Sequence, residues 1–203
     1  MKRKKGTFLM VTGSLFLTAA LCLTIYNIYV AKRAEEAAKA VVPELKTTIE
    51  EAGEELEKIE HGQNAVFTSP DREMPSIEID GERYIGILEI PSVDLTLPIM
   101  GTWSYSGLRT APCLYKGSVY QDNMVIAGHN YARHFRPIKR LPVGTKLYFT
   151  DGENRRFEYE IGWVEVLDGT QVEEMISGEW DLTLFTCTYG GEARYAARCL
   201  KKE

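Results

Sequence analysis

An apolar segment lies near the start of this chain, where residues 7–31 contain no charged side chain. A helix needs roughly 20 apolar residues to cross the hydrocarbon core of a bilayer, so this segment is long enough to span one. Four cations at positions 2–5 precede it, and only Lys32 and Arg33 follow closely. This asymmetry predicts a single-pass membrane anchor at 1–31, with the N-terminus in the cytoplasm and the remainder outside the cell.

Two other interpretations of the apolar segment fit less well. A cleaved signal peptide has a shorter apolar core followed by a small-x-small cleavage site, and this run is longer than that. A bacterial lipoprotein needs a small residue before its lipidated cysteine, but Leu21 precedes Cys22. The sequence therefore favours an uncleaved anchor.

Residues 32–80 are predicted to form a helical stalk and a linker. The stretch 32–61 is rich in Ala, Glu and Lys, which favour helix. Pro43 predicts a break near residue 42, and residues 62–80 lose the helical periodicity and gather turn-forming residues. The stalk either packs on the following domain or self-associates, and fewer than three heptads favour packing. Its apolar stripe consists of Val42, Leu45, Ile49, Ala52, Leu56 and Ile59.

The remainder, 81–203, is predicted to be a mainly β domain with short helices. Segments rich in β-branched and aromatic residues alternate with turn residues such as Pro91 and Gly144. Many short strands with little long-helix signal indicate a closed barrel or a sandwich. The predicted strands are ERYIGILEI, VDLTLPIM, NMVIAG, KLYFT, RRFEYEIGWVEV, DLTLFT and ARYAARCL.

Charge and cysteine usage exclude some function classes. The formal net charge of -5 argues against nucleic-acid binding, which usually needs a basic face. Of the four cysteines, Cys22 lies in the apolar segment. The other three, Cys113, Cys187 and Cys199, cannot all pair with one another, so at least one thiol of the folded domain is free.

Two segments place a reactive side chain at the end of a predicted strand. One runs from Asp122 through an apolar strand to His129, and the other runs from Asp181 to Cys187. Strand ends on a rigid sheet commonly present functional groups. Each residue alone has an ordinary structural explanation, since a lone cysteine is more often a small buried hydrophobe.

The string TLFTC at 183–187 resembles the TLxTC signature of sortases, enzymes that join secreted proteins to the walls or pili of Gram-positive bacteria. The similarity continues over nearly all of 82–203. ILEIPSVDLTLPI at 87–99 is similar to the entry strands, AGHN at 127–130 to the histidine motif, and RYAAR at 194–198 to the final strand.

The resemblance implies an eight-stranded β-barrel in which Cys187 is the nucleophile, His129 the acid–base group and Arg194 the oxyanion or substrate-binding cation. Arg198, four residues after Arg194, and His134 remain the alternative arginine and histidine. Thr186 and Tyr189, on either side of the nucleophile, are predicted to contact the substrate. The short interval from Cys187 to Arg194 is similar to classes B and D.

The implied partners are secreted proteins with an LPxTG-like C-terminal sorting signal and an amine acceptor on a cell-wall precursor or pilin subunit. No cofactor is expected. Some sortases use calcium near the segment 167–180, but acidic loop residues such as Glu173, Glu174 and Glu179 are usually only solvated, and no metal is predicted. That segment is expected to line the substrate groove.

Three alternatives to this reading remain. A papain-like protease has its cysteine before its histidine, the reverse of this chain. A metal site of His129, Cys187 and Cys199 lacks a close ligand pair. A catalytically inactive, membrane-tethered β-barrel binding module would keep the scaffold without the chemistry.

Overall fold

The part of the chain that the structure describes consists of one long N-terminal helix followed by nine strands. The computed structural model describes residues 2–60 and 72–202, and side chains within 6–58 and 72–202. The chain divides into two compact units, Met1–Ala34 and Glu35–Glu203.

The first unit consists of the N-terminal part of helix α1, which runs Lys2–Glu60. The helix is long and apolar enough to cross a membrane by length and composition, and none of its most apolar window is buried. The prediction of an apolar N-terminal helix is therefore confirmed, whereas its orientation stays a prediction.

In the second unit, the later part of α1 packs against the β domain. Leu45 and Ile49 are fully buried in a cluster with Tyr84, Ile87 and other strand residues. Burial of this face confirms the prediction of a helical spacer that packs on the domain. The predicted break near residue 42 is wrong, because α1 continues through Pro43. The apolar packing of the next two turns offsets the hydrogen bond that proline removes.

Nine strands follow the helix, with short 3₁₀ turns and one further helix, α2, between them. The predicted strands are all present, whereas β1 and β4, of three and four residues, were not predicted. Most of the predicted linker 62–80 lies outside the described residues, but its last part contains β1. The bounds are β1 Ile77–Ile79, β2 Glu82–Ile90, β3 Leu95–Met100, β4 Cys113–Lys116, β5 Met124–Ala127, β6 Lys146–Asp151, β7 Arg156–Asp168, α2 Val172–Ile176, β8 Leu182–Cys187 and β9 Ala193–Lys201.

Eight of these strands close into a barrel. The sheet order is β1-β2-β3-β4-β5-β8-β9-β7-β6, and β2 also pairs with β6, which closes the ring from β2 to β6. Strand β1 pairs only with the start of β2 and lies outside the ring. The prediction of an eight-stranded barrel is confirmed. Closure leaves the ring without an unpaired edge.

The barrel interior is one apolar cluster to which most strands of the ring contribute. Leu88 of β2, Leu97 of β3, Ile126 of β5, Leu184 of β8 and Ala197 of β9 all belong to it and are almost fully buried. Because side chains alternate between faces along a strand, this cluster fixes which residues of each strand face outward.

Candidate active site

His129 and Cys187 lie at the ends of two adjacent parallel strands. In the β5–β8 pair, Ala127 is the register partner of Phe185. The ladder continues by one step, since the Gly128 amide donates to the Phe185 carbonyl at 3.0 Å. The next positions in this register are His129 and Cys187. Neighbouring strands lie about 4.8 Å apart, so the imidazole and the thiol start from adjacent backbone positions.

Arg194 lies directly opposite Cys187 on the other side of β8. The two residues are register partners at the end of the antiparallel β8–β9 pair. Arg198 is instead the partner of Thr183, at the far end of the same strand pair. Four residues along an extended strand correspond to about 13 Å, so the arginine beside the thiol is Arg194.

All three candidate catalytic residues are on the outer face of the barrel. Leu182 and Leu184 belong to the interior cluster, so the alternate residues Phe185 and Cys187 of β8 point outward. Directly opposite residues of paired strands share a face, which puts Arg194 on this side as well. On β5, Ile126 is interior, and the same alternation places His129 outside.

Arg198 is a buried structural residue. It is 2% exposed and its guanidinium donates to Glu165 Oε1 at 2.8 Å and Thr183 Oγ1 at 3.1 Å. It also donates to the main-chain carbonyls of Glu174 and Met175, at 2.6 and 2.9 Å. These bonds hold α2 against the outer face of β8 and β9 and leave Arg198 no open path to the thiol.

Arg194 is partly exposed and supports the turn that follows the candidate nucleophile. Its Nη1 donates to the carbonyls of Gly191 and Ala193 at 2.7 and 3.0 Å. The Thr188 amide closes the same turn by donating to the Ala193 carbonyl at 2.9 Å. Gly191 has φ +80, a conformation that favours glycine. Within the described part of the chain only Nη1 is engaged, so Nε and Nη2 can donate to a ligand.

His129 is half-buried, and its surroundings favour the neutral imidazole. Burial lowers its pKa below the ordinary value of 6.5, and the positive charge of Arg109 lowers it further. Its ring lies 4.7 Å from the ring of Tyr131. Gly128 is required beside it, because a Cβ there would lie 2.5 Å from the ring of Phe135.

The runner-up histidine and the two predicted substrate residues have different environments. His134 lies in the loop after His129, as predicted, but it is fully buried, and its ring centroid lies 5.6 Å from that of Tyr131. Thr186 is 1% exposed on the inner face, away from the thiol. Tyr189 is 73% exposed in the turn after Cys187. Substrate contact by Thr186 and Tyr189 stays a prediction, and it fits Tyr189 better.

Cys187 is the accessible thiol of the folded domain. Cys113 and Cys199 are buried, and burial raises the pKa of Cys113 to about 11 and raises that of Cys199 as well. Cys187 is only half-buried and free. Across residues 2–60 and 72–202, no group of three or more His, Cys, Asp or Glu side chains could hold a metal ion.

An aromatic wall extends from the candidate site over the outer face. The ring of Tyr115 lies 5.2 Å from Phe185 and 6.1 Å from Trp103, and the latter lies 4.9 Å from Tyr105. Helix α2 borders the same face, where Met175 is buried against neighbouring strands. The segment 167–180 therefore borders the outer surface beside Phe185. That it lines the substrate groove stays a prediction.

Comparison with known proteins gives a consistent family. A family model described as the sortase domain matches residues 88–201. The chain is 30% identical over 121 residues to sortase A of Bacillus anthracis, and this match covers 57% of each protein. It is 31% identical over 120 residues to sortase A of Listeria monocytogenes, covering 53% of this chain and 51% of that protein. The chain thus spans about half the length of these relatives.

The fold comparison agrees. Sortase C-3 of Streptococcus pneumoniae matches with a TM-score of 0.54 and 22% identity, covering 85% of this chain and 90% of that one. The barrel described above is therefore of the sortase type. These relatives are named as sortases A and C, so the class B or D assignment stays a prediction.

Proposed function

This chain belongs to the sortase family, and on that premise we propose that it is a membrane-anchored cysteine transpeptidase. The observation that carries the proposal is the position of Cys187 between His129 and Arg194, on one face and at one end of the barrel. The substrates we propose are secreted proteins with an LPxTG-like sorting signal and an amine of a cell-wall precursor or pilin subunit.

In the proposed reaction, His129 transfers one proton during formation of the thioester and one during its reaction with the acceptor amine. The lowered pKa keeps its imidazole neutral near pH 7, so it can accept the thiol proton as Cys187 sulfur attacks the scissile carbonyl. The C–N bond then breaks, and the imidazolium gives its proton to the departing amine. The acceptor amine attacks the resulting thioester, and His129 takes its proton and returns it to the leaving thiolate.

Arg194 is proposed to stabilise the oxyanion that forms in both halves. A guanidinium stays protonated at any working pH, so Arg194 cannot act as the base. Charge-assisted hydrogen bonds from a preorganised donor typically contribute a factor of about 10² to 10³ in rate. Its bonds to Gly191 and Ala193 hold the guanidinium near the turn in advance of substrate binding.

The proposed location follows from the N-terminal helix and the charges around it. The cations at positions 2–5 support a cytoplasmic N-terminus, and a single span then puts the barrel outside the cell, facing the wall.

Mass spectrometry of the full-length protein in detergent tests the activity. The protein is incubated with LPxTG-like peptides, with and without an amine, and searched for a thioacyl adduct on Cys187 and for the transpeptidation product. Cys187→Ala should abolish both, whereas Cys22→Ala, which removes a thiol of the apolar helix, should retain them. Absence of adduct and product from the unmodified protein would support the inactive binding module instead.

A further inference from the structure

Two cations and two tyrosines form a cluster beside the candidate active site. Lys139 Nζ lies 5.1 Å from the ring centroid of Tyr189 and 5.4 Å from that of Tyr195. The Arg136 guanidinium lies 5.9 Å from the ring of Tyr189. We call these four residues the cation–tyrosine cluster. Cation–π contacts fix the position of a charge and leave its hydrogen-bond donors available.

The cluster borders the thiol on the side away from the aromatic wall. Arg136 and Lys139 belong to a 3₁₀ turn, Arg136–Arg140, whose Ile138 is buried in the interior cluster, so the turn covers this end of the barrel. Tyr195 opposes Thr186 on the inner face. Tyr189 follows Cys187 by two residues. The outer-face wall at Phe185 and the cluster at the barrel end therefore lie on different sides of Cys187.

The cations of the cluster differ from most others in the domain because no carboxylate neutralises them. Within residues 72–202, neither Arg136 nor Lys139 forms an ion pair. The chain as a whole is acidic, with a formal net charge of -5. Other cations of this range, such as Lys116 and Arg140, also form no ion pair, but Arg136 and Lys139 are distinguished by lying together against the ring of Tyr189. The cations of the domain that do form ion pairs are Arg72, Arg133, Lys146, Arg155, Arg156, Arg198, Lys201 and Lys202.

The positions of the aromatic wall and the cation–tyrosine cluster suggest which of the two substrates binds to each surface. The acyl part of the donor peptide needs an extended apolar surface leading to the thiol, which the wall at Tyr115 and Phe185 provides. The acceptor amine must approach the thioester from the side that the departing amine has left. With the acyl part on the aromatic wall, the side left for the amine is the barrel end, where Arg136 and Lys139 carry positive charge.

We propose that the amine acceptor is anionic and that the cation–tyrosine cluster binds a carboxylate or phosphate group near its reactive amine. This inference rests on the transpeptidase function proposed above and specifies the chemistry of its second substrate. Lys139 Nζ and Arg136 Nη1 supply the donors, because Nε and Nη2 of Arg136 already donate to the Asn130 carbonyl at 3.3 and 3.2 Å. The rings of Tyr189 and Tyr195 hold Lys139 in place.

The test compares acceptors that carry an anionic group with otherwise similar acceptors that lack it. The full-length protein is first acylated with a donor peptide, and the rate of aminolysis is measured with triglycine against triglycinamide and with phosphoethanolamine against ethanolamine. For each pair, the readout is the ratio of the second-order rate constants. We expect the anionic member to react about three- to fivefold faster at low ionic strength, and the ratio to approach one at high salt.

Two substitutions connect the preference to the cluster. Lys139→Gln should bring the ratio towards one, and Lys139→Glu should invert it, which loss of structure alone would not do. Lys116→Gln is the matched control, because Lys116 is an exposed lysine that forms no ion pair among residues 72–202. It lies at the end of β4 away from the site, since it pairs with Val125 whereas Cys113 pairs with Ala127. This control variant should retain the preference of the unsubstituted protein.

The outcomes separate this inference from the proposed function. A preference confined to phosphoethanolamine identifies the anion as phosphate, and one confined to triglycine identifies it as carboxylate. Equal rates within both pairs, or a preference that Lys139→Glu leaves in place, would overturn the inference while the transpeptidase function stands. Failure to form any thioacyl enzyme refutes the proposed function first and the inference with it.

Discussion

Arg198 follows Arg194 by four residues, and we expect substitution of Arg198 to lower mainly the stability and substitution of Arg194 to lower mainly the activity. Replacing Arg198 by Met leaves Glu165 without its partner and leaves the carbonyls of Glu174 and Met175 and the hydroxyl of Thr183 without their donor. Each buried acceptor left unpaired costs about 1 kcal/mol or more. Glu165 is partly exposed, so its cost is below the 3–5 kcal/mol typical of a fully buried pair. We expect a loss of about 3 kcal/mol in the free energy of unfolding.

Replacing Arg194 by Met should cost little stability and most of the activity. It removes two hydrogen bonds to carbonyls of a solvent-accessible turn, worth under about 1 kcal/mol together because water can replace the donor. It also removes the proposed oxyanion donor, so the rate of thioacyl formation should fall by about 10² to 10³.

Both variants are measured by thermal unfolding and by single-turnover acylation of the full-length protein in detergent. Near-UV circular dichroism follows the barrel, and about 3 kcal/mol corresponds to a lowering of the midpoint by roughly 10 °C in a domain of this size. Acylation of Cys187 is followed by mass spectrometry, well below the lower of the two midpoints, where each variant is folded.

One result would refute this reasoning. If Arg198→Met kept the midpoint of the unsubstituted protein but lost acylation, and Arg194→Met kept its acylation rate, then Arg198 would be the catalytic arginine. The register of β8 and β9 would then not describe the active enzyme.

Three further predictions concern acid–base chemistry, thiols and packing. The acidic limb of the pH dependence of kcat/KM should lie below pH 6.5, because the lowered pKa of His129 keeps the imidazole neutral down to that range; Arg109→Gln should move the limb to higher pH, and an unmoved limb in low salt would contradict the interaction. Brief treatment of the folded protein with iodoacetamide should label Cys187 and leave Cys113 unlabelled, since burial raises the pKa of Cys113 to about 11; peptide mapping reads this out. Leu45→Ala should lower the free energy of unfolding by about 2–5 kcal/mol, because its side chain is fully buried between helix and barrel. Denaturant titration measures this loss, with an exposed substitution on the same helix as the control. A loss from Leu45→Ala no larger than that of the control would contradict the prediction.

Much of the barrel could be predicted because its strands carry strong local signals. The segment at 82–90 contains a tyrosine and three isoleucines among its nine residues, and the structure gives strand β2 these bounds. Strand β1 has only three residues and β4 mixes apolar and exposed positions over four, whereas β5 is as short as β4 but is a continuous buried apolar run and was predicted. Pro43 misled the prediction, since its local helix-breaking preference is outweighed by tertiary packing of Leu45 and Ile49.

The site was less accessible to sequence reasoning than the fold. The order of His129, Cys187 and Arg194 could be recognised in the chain, but their adjacency depends on a parallel pairing between strands distant in sequence. The burial of His134 and the ion pair of Arg198 with Glu165 depend on side-chain packing that no local pattern specifies. The cation–tyrosine cluster could not be predicted for the same reason, because its residues come from three separate segments and share no motif.

The pairing of β5 with β8 also has a consequence for folding. Strands β8 and β9 fill the gap between β5 and β7, so the ring cannot close before they insert. The same insertion brings Cys187 beside His129. Pairing between strands so distant in sequence forms slowly and late, since its loop-closure entropy must be overcome first. A chain caught before this step has neither a closed barrel nor a base beside its thiol. The fraction of molecules able to react should therefore equal the fraction that has finished folding. Incompletely folded chains should not react with substrate.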